Sequence, residues 1–250
     1  MIRGWYTAAS GMVAQMARQL TNAANLANVS TPGYRQVNVR VEEFQEMLLH
    51  HFEATGEFRL GDLSTAVAMA PIEIDPTQGA LRESGRPLDV ALTGPGFFVI
   101  QGDEGLEYTR NGVFLLEPGG RLMTADGRQV NGVGDQPIII PPERLDEVWI
   151  GSDGTIQAGD DVLGQLRIVE FAEPGQLVSN GSNRYTTDQE PLESPGTAVH
   201  QGFLEMSNVD VNRTAVDLME AQRAYDMAQR MVQMQDETLQ MTVRDLGRVQ

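Results

Sequence analysis

The sequence has 250 residues, which is long enough for one large domain or two small ones with a hydrophobic core. Its 35 acidic residues outnumber the 18 basic ones, and the net charge of −17 argues against nucleic acid binding, which needs clustered cations. Cysteine is absent, so disulfides, thiolate metal ligands and a cysteine nucleophile are excluded. The longest apolar runs are too short for a transmembrane helix or a cleaved signal peptide, so no membrane insertion is expected.

Charge is distributed unevenly along the chain. The first 41 residues contain four arginines and no acidic residue, a charge of +4. The remainder carries −21, because 14 arginines stand against all 35 acidic residues. A basic arm on an acidic body suits head-to-tail contact between like subunits, but the acidic partners could equally belong to the same chain.

The N-terminal segment 1–34 is predicted to be mainly a helix of an assembly domain. From Ile2 to Val29, apolar and small residues recur at steps of three and four, on one side of a helix of ~42 Å. These residues are Trp5, Ala9, Met12, Met16, Leu20 and Ala23. Pro32 and Gly33 then end the helix and are interpreted as a turn or hinge, because proline lacks an N–H and glycine tolerates positive φ.

Residues 35–80 are predicted to form a linker. Val41, Phe44, Leu48 and Phe52 have helical spacing, which predicts a short helix from Val41 to Phe52. Glu42 and Glu43 would favour its first turn by complementing the helix dipole. The segment from Gly56 to Pro76 is expected to be extended.

Residues 81–206 are predicted to form an all-β domain. Short β-prone runs alternate with turn signals about every ten residues, and Asp-Gly pairs at 126 and 153 suit tight turns. The predicted strands are Leu88–Leu92, Phe97–Gln101, Val113–Leu116, Ile138–Ile140, Val148–Ile150, Thr155–Gln157 and Gln165–Phe171.

The C-terminal segment 207–250 is predicted to be the second helix of the assembly domain, unbroken by Gly or Pro as far as Leu246. One stripe has near-heptad spacing and includes Leu218, Gln222, Tyr225, Val232 and Leu239. A second stripe contains Val216, Met219, Met227, Met234 and Met241. Two stripes on one helix indicate packing on two sides, so part of this surface is expected to await other molecules.

The predicted fold class is α+β, with the terminal α-helices paired as a coiled-coil-like domain and an all-β domain inserted between them. Self-assembly is assigned to apolar and polar residues of the two helices. Those chosen from helical spacing are Trp5, Met12, Met16, Leu20, Leu218, Gln222, Tyr225, Val232 and Leu239.

The sequence shows no sign of catalysis, and neither an enzyme nor a cofactor or metal is expected. His50 and His51 are adjacent, so on a helix they point about 100° apart and do not share a metal. His200 stands alone, and all three histidines are expected to be solvated. Phosphate-binding loops, nucleophile elbows and zinc signatures are absent.

Three blocks of sequence resemble the flagellar basal-body rod protein family, which includes rod and hook relatives. The first block is Ala8–Met12 with Asn25–Arg35. The second is Pro87–Leu92 with Gly94–Phe98 and Tyr108–Gly112. The third is Gln201–Glu205, Ser207–Val209 and Gln222–Tyr225. Through the first block, the resemblance adds Asn25, Leu26 and Asn28 to the predicted assembly residues.

The resemblance implies a structural subunit of the bacterial flagellar rod, which polymerises helically with itself and with other flagellar rod and hook proteins. The shaft transmits torque from motor to hook, and its subunits leave through the flagellar type III export apparatus without a cleaved signal peptide. The segment before Leu81 and the run from Gly164 to Phe171 look closer to the proximal than to the distal type. The alternative is a secreted acidic β-domain binding module on a coiled-coil stalk, which a closed small oligomer with ligand affinity would favour.

Overall fold

The computed structural model describes residues 2–43, 47–53, 56–63, 67–194 and 196–246, and side chains within 5–39, 73–194 and 196–244. The chain divides into two compact units. The terminal unit consists of residues 1–26, 38–72 and 211–250, and the β unit consists of residues 27–37 and 73–210.

Both predicted terminal helices are present. Helix α1 spans Ile2–Ala27 and helix α2 spans Val211–Leu246, with 26 and 36 residues respectively. Neither helix contains proline, and α2 also lacks glycine, so nothing in their interiors removes a backbone hydrogen bond. The chain turns directly after α1, where the amide of Thr31 donates to the carbonyl oxygen of Asn28.

The short helix predicted from Val41 to Phe52 is wrong, because the described residues of this segment form strands. The segment from Gly56 to Pro76, which was predicted to be extended, is mostly strand. Strand β2 (Met47–Glu53) pairs antiparallel with β3 (Gly56–Leu63), and β1 (Val37–Glu43) pairs with β4 (Val67–Ile74). Alternation of the β-branched residues Val37, Val39 and Val41 was the better signal. Phe44 lies outside the described residues. The strands are β1 (Val37–Glu43), β2 (Met47–Glu53), β3 (Gly56–Leu63) and β4 (Val67–Ile74).

The β unit contains the remaining strands of the described chain, together with short 3₁₀ segments at Val133–Asp135, Pro142–Glu147 and Pro174–Gln176. Its strands are β5 (Leu81–Glu83), β6 (Val90–Thr93), β7 (Phe97–Gln101), β8 (Leu106–Thr109), β9 (Phe114–Leu116), β10 (Leu122–Thr124), β11 (Val148–Ile150), β12 (Thr155–Ala158), β13 (Asp161–Gln165), β14 (Ile168–Glu170), β15 (Val178–Ser179), β16 (Arg184–Thr186), β17 (Leu192–Glu193), β18 (Ala198–Gln201) and β19 (Phe203–Glu205).

A six-stranded antiparallel sheet organises the β unit, in the order β15-β16-β8-β7-β14-β17. The β unit also contains a three-stranded sheet, β11-β12-β13, and three two-stranded pairs, β9-β10, β6-β18 and β5-β19. The predicted strands are found with small shifts, except that Ile138–Ile140 makes only an isolated bridge, between Ile139 and Arg121.

The central strand β7 is buried on both faces, which explains its uninterrupted run of apolar residues. Phe98 and Ile100 belong to one hydrophobic core, where the rings of Phe98 and Phe114 meet edge to face with centroids 5.1 Å apart. Phe97 and Val99 belong to a second core. The β unit therefore has two hydrophobic cores that are closed within one molecule.

The two terminal helices are amphipathic rather than uniformly apolar. Within the described residues, neither has a stretch that is both long and apolar enough to cross a bilayer.

Candidate assembly surface and connecting segment

Helix α1 presents an exposed apolar stripe. Every residue of this stripe is exposed, and the members follow one another at alternating steps of three and four, as in a heptad seam. Its larger side chains are 53–69% exposed. Arg18, the charged residue among the described side chains of α1, lies on the opposite side of the helix. The α1 stripe comprises Tyr6, Ala9, Val13, Met16, Leu20 and Ala23.

Helix α2 presents a second exposed stripe, which matches the second stripe of the sequence analysis. Its members are 54–64% exposed and lie on one side of the helix, and contiguous exposed apolar surface of this kind marks interaction sites. Arg223 and Arg230 are exposed on the same side of the helix, so this surface mixes apolar and cationic groups. The methionine stripe comprises Val216, Met219, Met227, Met234 and Met241.

The residues predicted for self-assembly fall into two groups. Trp5, Met16, Leu20 and Gln222 are exposed and free to meet another molecule. The others are partly or fully covered within one chain, and Asn25 is completely buried. The covered residues are Met12, Asn25, Leu26, Asn28, Leu218, Tyr225, Val232 and Leu239. On α2, the near-heptad residues Leu218, Tyr225, Val232 and Leu239 are thus half-buried in the free chain, whereas Gln222 and the methionine stripe are exposed.

The covered sides of the helices contain polar atoms without partners. Among the described residues, Gln15 Oε1, Gln19 Nε2 and Gln235 Oε1 are buried and make no hydrogen bond. A buried polar group left unsatisfied costs on the order of 1–3 kcal/mol. The terminal unit of an isolated chain is therefore incompletely satisfied inside as well as incompletely covered outside.

The connecting segment, residues 28–36, folds onto the β unit. Gly33 has φ +69° and lies so close to the strand-end backbone that a Cβ there would be 2.4 Å from the Asn111 nitrogen. Its amide donates to the Glu205 carbonyl oxygen (2.7 Å), and the Asn183 side chain donates to the Pro32 carbonyl oxygen (3.0 Å). The predicted turn residues Pro32 and Gly33 are therefore each hydrogen-bonded to the rest of the β unit.

A buried charge cluster lies beneath this segment. Arg35 Nη2 contacts Glu205 Oε1 at 2.8 Å, and Arg110 Nη1 contacts Glu205 Oε2 at 3.4 Å. All three side chains are at most 2% exposed. Buried ion pairs of this kind are stable only when further hydrogen bonds satisfy the remaining groups.

Backbone groups supply most of those further bonds, although Arg110 Nε has no hydrogen-bond partner among the described residues. Arg35 Nη1 donates to the Pro76 carbonyl oxygen (3.2 Å), Arg110 Nη2 donates to the Gly94 carbonyl oxygen (2.6 Å), and Glu205 Oε1 accepts from the Gly79 amide (3.0 Å). Burial lowers the pKa of Arg110 to about 10, with the nearby Glu205 opposing the shift. Arg110 is therefore still charged at neutral pH, and the two arginines face one carboxylate.

Asn208 completes the attachment from the other end of the chain. Its side-chain oxygen accepts from the Gln36 amide at 2.6 Å. Its side-chain nitrogen lies within 3.3 Å of the Asp75 carbonyl oxygen and within 3.0 Å of both oxygens of Thr77. Sequence reasoning singled out Glu205 and Asn208 as parts of motifs, but nothing in the sequence alone indicated that they contact residues 28–36.

The β unit contains a groove of about 500 Å³. Its polar side chains already bond to one another: Arg167 pairs with Asp135, and the Ser194 hydroxyl lies 2.7 Å from that of Thr197. The described parts of the chain contain no group of three His, Asp or Glu side chains that could hold a metal. His200 is exposed beside Phe203, while the side chains of His50 and His51 lie outside the described residues.

Comparison with known proteins joins these features to a family. Three family descriptions match in order: flagella basal body rod protein over residues 6–35, flagellar hook protein FlgE/F/G D1 domain over residues 91–158, and flagellar basal body rod FlgEFG protein C-terminal over residues 200–245. The chain is 31% identical to the flagellar basal-body rod protein FlgG of Bacillus subtilis over 258 residues, covering 96% of this chain and 97% of the relative. The chain belongs to the flagellar basal-body rod protein family.

Further relatives of the rod family are similarly distant. The flagellar basal-body rod protein FlgF of Caulobacter vibrioides is 31% identical over 91% of each chain. The flagellar hook-basal body complex protein FlhO of Bacillus subtilis is 27% identical over the full length of both chains. The chain is thus a structural protein of the flagellar basal body, and its similarity to FlgG and to FlgF does not separate the two types.

The matched regions coincide with the surfaces described above. The N-terminal rod match contains the α1 stripe and most of the connecting segment, and the C-terminal match contains Glu205, Asn208 and the methionine stripe. A match over nearly the whole chain favours a rod subunit over the alternative of a binding module on a stalk.

Proposed function

We propose that this chain is a subunit that polymerises helically with itself and with other flagellar rod and hook proteins into the shaft that transmits torque from motor to hook. In the assembled rod, the α1 stripe and the methionine stripe are covered by neighbouring subunits, and the terminal helices pair as a coiled-coil-like layer around the axis, with the β domain inserted between them. Contacts that repeat without closing into a ring generate such filaments.

The exposed apolar stripes are the observation that carries this proposal. Two helices each expose a row of apolar side chains, while the β unit of the same chain covers its core. Burying apolar surface is worth roughly 25 cal/mol per Å², so two such rows per subunit supply a driving force for association. The unsatisfied amides of Gln15, Gln19 and Gln235 favour repacking of the same helices when neighbours dock.

We further propose a position nearer the proximal end of the rod, in the part that spans the periplasm. Two features support this choice: the segment before Leu81 and the run from Gly164 to Phe171 both resemble the proximal type more than the distal type. As the family resemblance implies, the subunit is exported by the flagellar type III apparatus without cleavage of a signal peptide. No catalytic role is proposed.

Charge placed on the methionine stripe tests the assembly proposal. Met227→Asp and Met234→Asp put a carboxylate where an apolar contact is expected, so cells producing either variant should be non-motile and lack complete basal bodies. Gln233→Asp is the matched control, because Gln233 is exposed on the same helix but outside the stripe. Motile cells with Met227→Asp would show that this stripe is not the interface.

The position along the rod has its own test. Imaging purified basal bodies that carry a tag on this chain should place the label near the motor end. A label adjoining the hook would instead identify the distal type and leave the assembly proposal intact.

A further inference from the structure

All connections between the two units pass through one small region of the β unit. The chain crosses between units after Leu26, Val37, Ile72 and Asp210. On the β-unit side, the crossings after Val37, Ile72 and Asp210 lie within a few residues of the cluster around Arg35, Glu205 and Asn208, and the crossing after Leu26 begins the segment that contains Arg35. The segments concerned are 27–37, 73–79 and 205–210.

Side chains tie these three segments to one another. Glu205 accepts from Arg35 of the first segment and from the Gly79 amide of the second. Asn208 likewise accepts from the Gln36 amide and donates to backbone oxygens of residues 75 and 77. The backbone adds a direct link, since the Asp75 amide donates to the Gln36 carbonyl oxygen at 2.8 Å.

We propose that Glu205 and Asn208 are positioning residues that clamp the entering and leaving segments together, so that the connections of the β unit move as one piece. The clamp consists of the side chains of Arg35, Arg110, Glu205 and Asn208 with their backbone partners. Pro32 and Gly33 do not act as a free hinge in this proposal, because the Pro32 carbonyl oxygen accepts from the Asn183 side chain and the Gly33 amide donates to the Glu205 carbonyl oxygen.

The clamp has a mechanical consequence that goes beyond membership of a rod. A force that passes between the terminal helices and the β unit along the chain has to cross these segments. If the segments opened separately, the load would stretch one connection at a time. Bonded together, they share the load. Separating segment 27–37 from segment 205–210 breaks the buried Arg35–Glu205 ion pair, and opening segment 73–79 breaks its hydrogen bonds to Arg35, Glu205 and Asn208.

Hydrogen exchange on the purified full chain tests the clamp without any assembly. Asn208→Ala removes the partner of the Gln36 amide, so faster exchange at Gln36 itself is trivial. The informative amides are Gly33, Asp75 and Gly79, which do not bond to Asn208. If the segments open together, these amides should exchange about tenfold faster, because the Asn208 side chain no longer ties segments 27–37 and 73–79 to segment 205–210.

Gln201→Ala is the matched control. Gln201 is another half-buried side-chain amide of the β unit, and it bonds to the backbone of Pro87, Val148 and Ile150. This variant should accelerate the Ile150 amide and leave Gly33 unchanged. The core amide of Val99 reports global destabilisation and should stay unchanged in both variants.

A conservative change at the charge cluster provides a second measurement. Arg35→Lys keeps the charge but, as a single ammonium group, does not reproduce the fork that reaches both Glu205 and the Pro76 carbonyl oxygen. It should therefore accelerate exchange at Gly33 and Asp75 together. Faster exchange confined to Gln36 in Asn208→Ala, or equal acceleration at Val99, would overturn the clamp while leaving the assembly proposal untouched.

Discussion

The β unit and the terminal unit hide their apolar residues in different ways. In the β unit, the central strand is covered on both faces and its large apolar side chains lie in two closed cores. In the terminal unit, two long helices each leave a continuous stripe of apolar side chains in contact with solvent. This difference is what we expect if the β unit is complete in a single molecule and, as proposed above, neighbours complete the terminal unit.

The largest expected effect comes from opening the closed core. Phe98→Ala removes a fully buried ring that packs edge to face on Phe114, and should lower the free energy of unfolding of the β unit by about 3–5 kcal/mol. Urea unfolding followed by tyrosine fluorescence measures the loss, with Leu115→Ala as control, because Leu115 is exposed and lies in β9 beside Phe114. A loss below about 1 kcal/mol would show that the core is not closed around β7.

A smaller loss is expected where the connecting segment meets the β unit. Gly33→Ala forces a side chain into positive φ at a cost of roughly 1–2 kcal/mol, before the contact with the Asn111 backbone is counted. Gly127 also has positive φ but has open space around it, so Gly127→Ala isolates the strain alone. Thermal unfolding of both variants separates the two costs, and equal losses would mean that residue 33 is not packed against Asn111.

The smallest effect should be a gain. Gln235→Leu replaces a buried amide whose oxygen has no partner, and so should stabilise the terminal unit of the free chain by about 1 kcal/mol. Hydrogen exchange of α2 amides measures the change, and Gln233→Leu, at an exposed position nearby, is the control. A loss of protection in Gln235→Leu would show that the amide is satisfied in solution.

The sequence was a good guide wherever local pattern and final environment agree. Both helices lie within a few residues of their predicted ends, because these ends are decided by local sequence. Pro32 and Gly33 stop the first helix, and the second continues to Leu246 because it contains neither glycine nor proline. The segment from Val41 to Phe52 failed, because four apolar residues fit a helical spacing by chance while the strands pair with residues further along the chain.

The assembly surface shows a similar limit. Periodicity located two stripes on α2, but it did not reveal that Leu218 and Tyr225 are half-buried while Met227 and Met234 are exposed. The attachment of residues 28–36 was not predictable either. Arg35 and Glu205 are 170 positions apart, and only the folded β unit brings them together.

Covering of the methionine stripe in the rod is the central claim, and oxidative footprinting of methionine tests it most directly. In the free chain, Met219, Met227, Met234 and Met241 should oxidise readily, and half-buried Met123 of the β unit serves as the internal reference. In purified basal bodies, the four stripe methionines should be protected about tenfold relative to Met123. Equal reactivity of the stripe in the free and assembled states would contradict the account.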